Sequence, residues 1–178
     1  IKELEDAGID VKSRLYISNK AHIICPTERM LDGASESAKG DAKIGSTLRG
    51  ITPTYQAKTG RYGLRTGDLQ TDVWKEKYDE LKKINLEILS KVYNYDISNL
   101  EKDEKEFFEA LEFMRKYTIC DTVEMIHNEL NNGKKVLAEG AQGVLLDIDH
   151  GTYPFVTSSS VVSGGVLTGL GIGPHFIR

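Results

Sequence analysis

Cysteine is scarce in this sequence: Cys25 and Cys120 are the only two in 178 residues. They lie far apart and fit no metal-ligand or redox spacing. Single thiols in a reducing compartment are the plain reading. No apolar run approaches the roughly 20 residues that cross a bilayer, and the start does not read as a secretory leader. Strong charge of either sign is also missing, since the net charge is −4. That excludes a polyanion binder acting through the whole chain. No GxxxxGK[ST] phosphate loop occurs. No histidine, carboxylate and nucleophile are arranged like a hydrolase triad. Internal repeats and low-complexity tracts are absent too.

What charge there is lies unevenly. Between residues 39 and 65 stand six basic side chains (Lys39, Lys43, Arg49, Lys58, Arg61, Arg65) and one acid, Asp41, a local +5 that leaves −9 on the remainder. The same region, from Gly40 to Asp68, holds six glycines. A basic, glycine-rich stretch in an acidic chain suits a small phosphorylated ligand better than nucleic acid. Residues 41–68 read as one long loop, and such loops in compact domains are usually functional or disordered. Pro53 and its neighbouring threonines favour a defined path.

In order, residues 1–8 read as a helix tail ended by Gly8. Leu15–Ser18 and His22–Cys25 read as short strands, the second stopped by Pro26. Thr27 is the expected N-cap of a helix with Met30, Leu31, Ala34 and Ala38 on one face. A long helix follows over 71–95, with Trp74, Tyr78, Leu81, Ile84, Ile88 and Val92 inward. Further helices are expected at 103–117 and at 121–131, the latter with Val123, Ile126 and Leu130 inward. Aromatic stripes at helical spacing read as core. Lys135–Ala138 reads as a buried strand entered after Gly133. The small-residue run 158–169 could start a helix.

The chain is organised around residues 139–160, EGAQGVLLDIDHGTYPFVTSSS. The run Gly140-Ala141-Gln142-Gly143 lets backbone approach a ligand at a strand's C-terminal end, the edge where open α/β sheets bind ligands. Asp147-Ile148-Asp149-His150 has the look of a metal cluster. Alternation would send neighbouring side chains opposite ways, so satisfied hydrogen bonds in a tight fold are the expectation for these residues.

This segment resembles the corresponding one of the adenylosuccinate synthetases, GTP-dependent ligases that join IMP to L-aspartate. The stretch Ile44-Gly45-Ser46-Thr47-Leu48-Arg49-Gly50 through Tyr55, followed by Arg61-Tyr62-Gly63-Leu64-Arg65-Thr66-Gly67-Asp68, resembles the same family. So does Gly164-Gly165-Val166-Leu167-Thr168-Gly169-Leu170-Gly171. The resemblance implies an α/β fold: part of a mostly parallel sheet with flanking helices, P-loop NTPase-like, plus a helical subdomain over 71–132. It implies that residues 1–178 are the central fragment of a single larger catalytic domain. The helical pattern already under way at Ile1 and the strand expected to begin at Phe176 point the same way.

The resemblance further implies conversion of IMP, aspartate and GTP to adenylosuccinate, GDP and phosphate through a 6-phosphoryl-IMP intermediate, in a cytoplasmic homodimer. Thr47 and Thr157 match the threonines that bond the IMP phosphate. Arg61 matches the arginine that reaches that phosphate from the partner subunit. Gln142 matches the glutamine beside the purine six position, where an amide can donate to developing negative charge. Arg49 is a weaker candidate in the same loop. Taken singly, Thr47 and Thr157 read as turn or cap residues and Arg61 as a surface charge. Family members commonly carry glycine where Leu48 and Thr52 stand, and asparagine where Ser160 stands, which predicts a changed loop path. The phosphate loop, the catalytic Asp and His and the Mg2+ ligands would lie before Ile1, and the aspartate loop and guanine site after Arg178. The fragment alone is then expected to be inactive, with no metal ligand of its own. A non-catalytic nucleotide-binding or interaction module stands as the alternative.

Overall fold

The computed structural model describes residues 1–177. Among these residues nine helices and strands follow one another: α1 (Lys2–Asp6), β1 (Tyr16–Ser18), α2 (Pro26–Ala38), α3 (Ile51–Gly60), α4 (Trp74–Lys91), α5 (Leu100–Met114), β2 (Thr118–Cys120), α6 (Thr122–Asn131) and α7 (Ser163–Leu170). The fold is α/β. β1 and β2 pair in parallel, Tyr16 with Thr118 and Ser18 with Cys120, which is the only sheet among the described residues.

α2 begins one residue after Cys25, not after Thr27 as expected. Pro26 takes the first helical position, where a missing N–H costs nothing, and Cys25 is the cap. Thr27 is instead fully buried and accepts from Asn85 Nδ2 at 3.0 Å. α4 lies within its predicted span of 71–95, shorter at both ends, and its inward stripe keeps Tyr78 and Leu81 but not Ile84 or Val92. Tyr78, Leu81, Asn85 and Leu89 are buried, whereas Ile84 is 38% and Val92 68% exposed. Asn85 holds an interior position because Thr27 satisfies its amide.

Two clusters form the core. Ile23, Cys25, Ala57, Leu64, Leu69, Tyr78, Leu81 and Leu111 make the first, flanked by Trp74, Phe107, Phe108 and Met114. Tyr78 stacks on Phe107 with centroids 5.5 Å apart and donates to Glu104 at 2.6 Å. Met30, Leu31, Ala34, Leu89 and Leu100 make the second. Helices α4 and α5 therefore share both cores with residues 23–69.

Three expected features are absent or replaced among the described residues. Residues 22–25 make no strand, only a bridge between His22 and Arg65, because Pro26 turns the chain into α2. Lys135–Ala138 makes no strand either. No other segment lies beside it to supply ladder partners, and Leu137 is left 91% exposed. The 41–68 stretch is not one loop: it contains α3, with short 3₁₀ turns at Gly40–Ala42 and Thr66–Gln70. Pro53 falls in the first turn of α3, where its missing N–H is tolerated.

β2 has no counterpart in the expectations, since Thr118 to Cys120 follow α5 after only three residues. α6 keeps its predicted span, capped by Asp121, whose carboxylate accepts the amides of Val123 and Glu124. Its inward residues are half-buried, and α7 docks there, with His127 Nε2 2.9 Å from the Gly171 carbonyl. Phe176 closes a 3₁₀ turn and not a strand start; Arg178 lies outside the described residues.

Candidate functional site

Three acids, Glu28, Asp32 and Glu36, recur every four residues along α2 and so share one face. All three are buried. Glu28 serves the helix itself, its Oε2 accepting the Cys25 amide at 2.7 Å. Burial pushes Glu28 up to about 7, against the opposing pull of that amide. Its Oε1 finds no hydrogen-bond partner among the described residues.

The other two acids hold the loop before α3. Asp32 Oδ1 accepts from Ser46 Oγ at 2.6 Å and Oδ2 accepts from the Gly50 amide at 2.9 Å. Glu36 Oε1 accepts the amides of Gly45 at 2.6 Å and Ser46 at 3.3 Å, while Oε2 pairs with Lys39 at 2.9 Å. The Lys39 ammonium and then the Gly45 amide draw Glu36 down to about 2. Ser46 Oγ also accepts the Leu48 amide at 3.1 Å. Gly50 closes the loop at φ 81, and a Cβ there would meet Ile24 Cγ2 at 2.7 Å and Arg29 N at 3.0 Å. Only glycine meets both demands. Leu48 is also left-handed, at φ 57. Its backbone thus holds the conformation that glycine favours, which strains a leucine. Thr47 and Arg49 are exposed on this pinned loop.

A second polar knot spans residues 143–162. Asp147 is fully buried at its centre. Its Oδ1 accepts the amides of Asp149 and His150, each at 3.0 Å, and its Oδ2 those of Val161 at 2.7 Å and Val162 at 3.2 Å. Burial alone would raise this carboxyl, but the four amides outweigh it and hold the group well below its ordinary value. Asp147 is thus the satisfied structural acid expected of it. Thr157 hangs from the same knot, its amide donating to the Leu146 carbonyl at 2.8 Å. Gly151 packs so closely that a Cβ would strike the carbonyl oxygens of Leu145 and Asp147.

The two polar systems meet. Thr52 Oγ1, in the first turn of α3, lies 2.7 Å from Ser158 Oγ. Thr52, Tyr55, Gln56, Thr59, Gly60 and Ser158 line an open groove of about 490 Å³. The segments carrying Thr47 and Thr157 are therefore joined at one place. Gln142 is exposed at φ 72, just before the 3₁₀ turn Val144–Leu146. A left-handed non-glycine costs of order 1–3 kcal/mol and is common at functional sites. Arg61 caps the opposite end of α3, left-handed at φ 68 and exposed. A ten-residue helix sets it roughly 15 Å from the Thr47 end. The geometry does not group Arg61 with Thr47.

Asp32 and Glu36, which hold the loop of Thr47, are residues that motif reading passed over. Their signal is a four-residue acid repeat behind a glycine-rich loop, obscured by the apolar face of the same helix. Among the described residues no group of three His, Cys, Asp or Glu side chains is placed to hold a metal ion, and none of the helices is long and apolar enough to cross a membrane.

Comparison with known proteins converges on one family. The family model for adenylosuccinate synthetase matches residues 1–178. The adenylosuccinate synthetase of Flavobacterium johnsoniae is 52% identical over 100% of this chain and 42% of its own length. That of Flavobacterium psychrophilum is 54% identical over 96% of this chain and 40% of its own. A solved structure of fully ligated adenylosuccinate synthetase from Plasmodium falciparum superposes with a TM-score of 0.82 at 37% identity, covering 99% of this chain and 41% of that one. The chain thus spans about two fifths of the length of these relatives.

Proposed function

Because this chain belongs to the adenylosuccinate synthetase family, we propose that it supplies much of the IMP site of a GTP-dependent ligase. The reaction joins IMP to L-aspartate and yields adenylosuccinate, GDP and phosphate. In this reading GTP first phosphorylates the purine 6-oxygen, and the aspartate amine then displaces that phosphate. Such chemistry needs positioned donors and positive charge more than a protein nucleophile.

Each residue has a distinct task in this proposal. The hydroxyls of Thr47 and Thr157 hold the IMP phosphate from two pinned segments. Gln142 directs its amide at the 6-oxygen as negative charge develops there, a contribution realised in the transition state. Arg61 reaches the phosphate of the partner subunit's nucleotide, and Arg49 adds charge at the loop. The exposure of Arg61 and its distance along α3 from Thr47 support that cross-subunit role. Magnesium bound elsewhere in the enzyme would neutralise the transferring phosphoryl group; among the described residues no cluster fits it.

The observation that carries the reading is the Thr52–Ser158 contact, which joins the two threonine-bearing segments at one groove. The test is adenylosuccinate formation by the complete protein, with IMP, GTP and aspartate omitted in turn. Product is expected only when all three are present. IMP binding without any such product would favour a non-catalytic module.

A further inference from the structure

We infer that Asp32 and Glu36 are positioning residues that set the phosphate-binding loop before IMP arrives; this rests on the reading of Thr47 as a phosphate ligand. The loop from Lys43 to Arg49 cannot be held by apolar burial. Ile44 is 38% and Leu48 50% exposed, and Thr47 and Arg49 face solvent. What fixes it is polar. Three backbone amides (Gly45, Ser46, Gly50) and one hydroxyl (Ser46) converge on two buried carboxylates one helical turn apart.

The choice of carboxylate has a consequence for the ligand. Negative charge near a phosphate is unfavourable unless it is already committed. Glu36 is committed to Lys39 and two amides, and Asp32 to an amide and a hydroxyl. Their acceptor capacity is turned inward. Thr47, one residue beyond the doubly held Ser46, is left on the outer side of the loop. Without these bonds the loop would have to be ordered at the expense of binding, and the loss would fall on IMP affinity and not on the chemical step.

The experiment compares Glu36→Ala, Glu36→Gln and Ser46→Ala with wild type in the complete protein. Steady-state kinetics for all three substrates are measured alongside IMP titration calorimetry and thermal melting. Glu36→Ala and Ser46→Ala should raise KM and Kd for IMP by about tenfold, the scale of one or two lost hydrogen bonds. kcat and the KM values for GTP and aspartate should stay within about threefold of wild type. Glu36→Gln keeps the acceptor facing Gly45 and Ser46 and should stay near wild type. The inference falls if IMP affinity is unchanged in Glu36→Ala and Ser46→Ala. It also falls if every KM and the melting temperature move together, the mark of general loosening. A wild type that binds IMP but makes no adenylosuccinate would defeat the proposed reaction, and calorimetry would still decide the role of the loop. A wild type that binds no IMP would overturn both.

Discussion

Thr52 and Ser158 stand 106 residues apart in sequence, yet their hydroxyl oxygens lie 2.7 Å apart. One neighbours the loop of Thr47, the other follows Thr157. If the contact keeps the two threonines in register for one phosphate, Thr52→Ala and Ser158→Ala should each raise the Kd for IMP by roughly three- to tenfold. The double variant should bind no worse than the weaker single, a coupling of about 0.5–1.5 kcal/mol. Additive losses in calorimetric titrations would show that the segments act independently.

Gln142→Leu tests the proposed donor. Removing a group aimed at charge that develops during reaction typically costs about 100- to 1000-fold in kcat. IMP binding should change far less, as judged by calorimetry. A raised KM with intact kcat would instead make Gln142 a simple binding residue.

Arg61 and Gln142 together test the shared site. Arg61→Leu and Gln142→Leu homodimers should each be crippled, because every site lacks one group. After subunit exchange, a mixed dimer holds one site lacking both groups and one complete site. Random exchange makes about half the dimers mixed, so activity should return to roughly a quarter of wild type. Absence of recovery, in a mixture shown by tag pull-down to have exchanged, would place Arg61 in its own subunit's site.

Glu28 predicts a pH effect of defined sign. Its folded value of about 7 stands above the model-peptide 4.5. Between those values the folded protein keeps a proton that the unfolded chain has released. The contribution is therefore full below about pH 4.5 and is lost as pH rises through about 7, roughly 3 kcal/mol across the window. Glu28→Gln removes this slope. Urea unfolding of both proteins from pH 4.5 to 8 should show wild type losing ground to the variant by that amount. A gap constant with pH would contradict the buried, proton-holding carboxyl.

Much of this was legible in the residues, and the reasons differ by element. α4 announces itself through a long three- and four-residue period, and α6 through the spacing of Val123, Ile126 and Leu130. α3 is hidden, because Gly50, Thr52, Pro53, Thr54 and Gly60 all read as loop. It forms because Pro53, Thr54 and Ala57 are buried against neighbouring structure, and tertiary packing overrides weak propensity. Lys135–Ala138 fails in the opposite direction: its apolar character is real, but a strand exists only beside a partner. For the proposed site, motif resemblance supplied the candidates Thr47, Arg61, Gln142 and Thr157. The buried acids behind them were not legible, since a carboxylate that accepts loop amides looks in sequence like one that faces water.

The β1–β2 pair carries a consequence for how the chain folds. Residues 16–18 ladder onto 118–120 through only three residues on each side. Closing a loop of about 100 residues costs roughly 4 kcal/mol in its length-dependent part alone. Ladder bonds that each net about 1 kcal/mol cannot lead such a closure. The strands must meet after α2, α4 and α5 have condensed around Tyr78 and Leu89 and brought the ends near. The parallel pair is then a late latch on a helical nucleus, and substitutions in it should quicken unfolding while leaving the folding rate nearly unchanged.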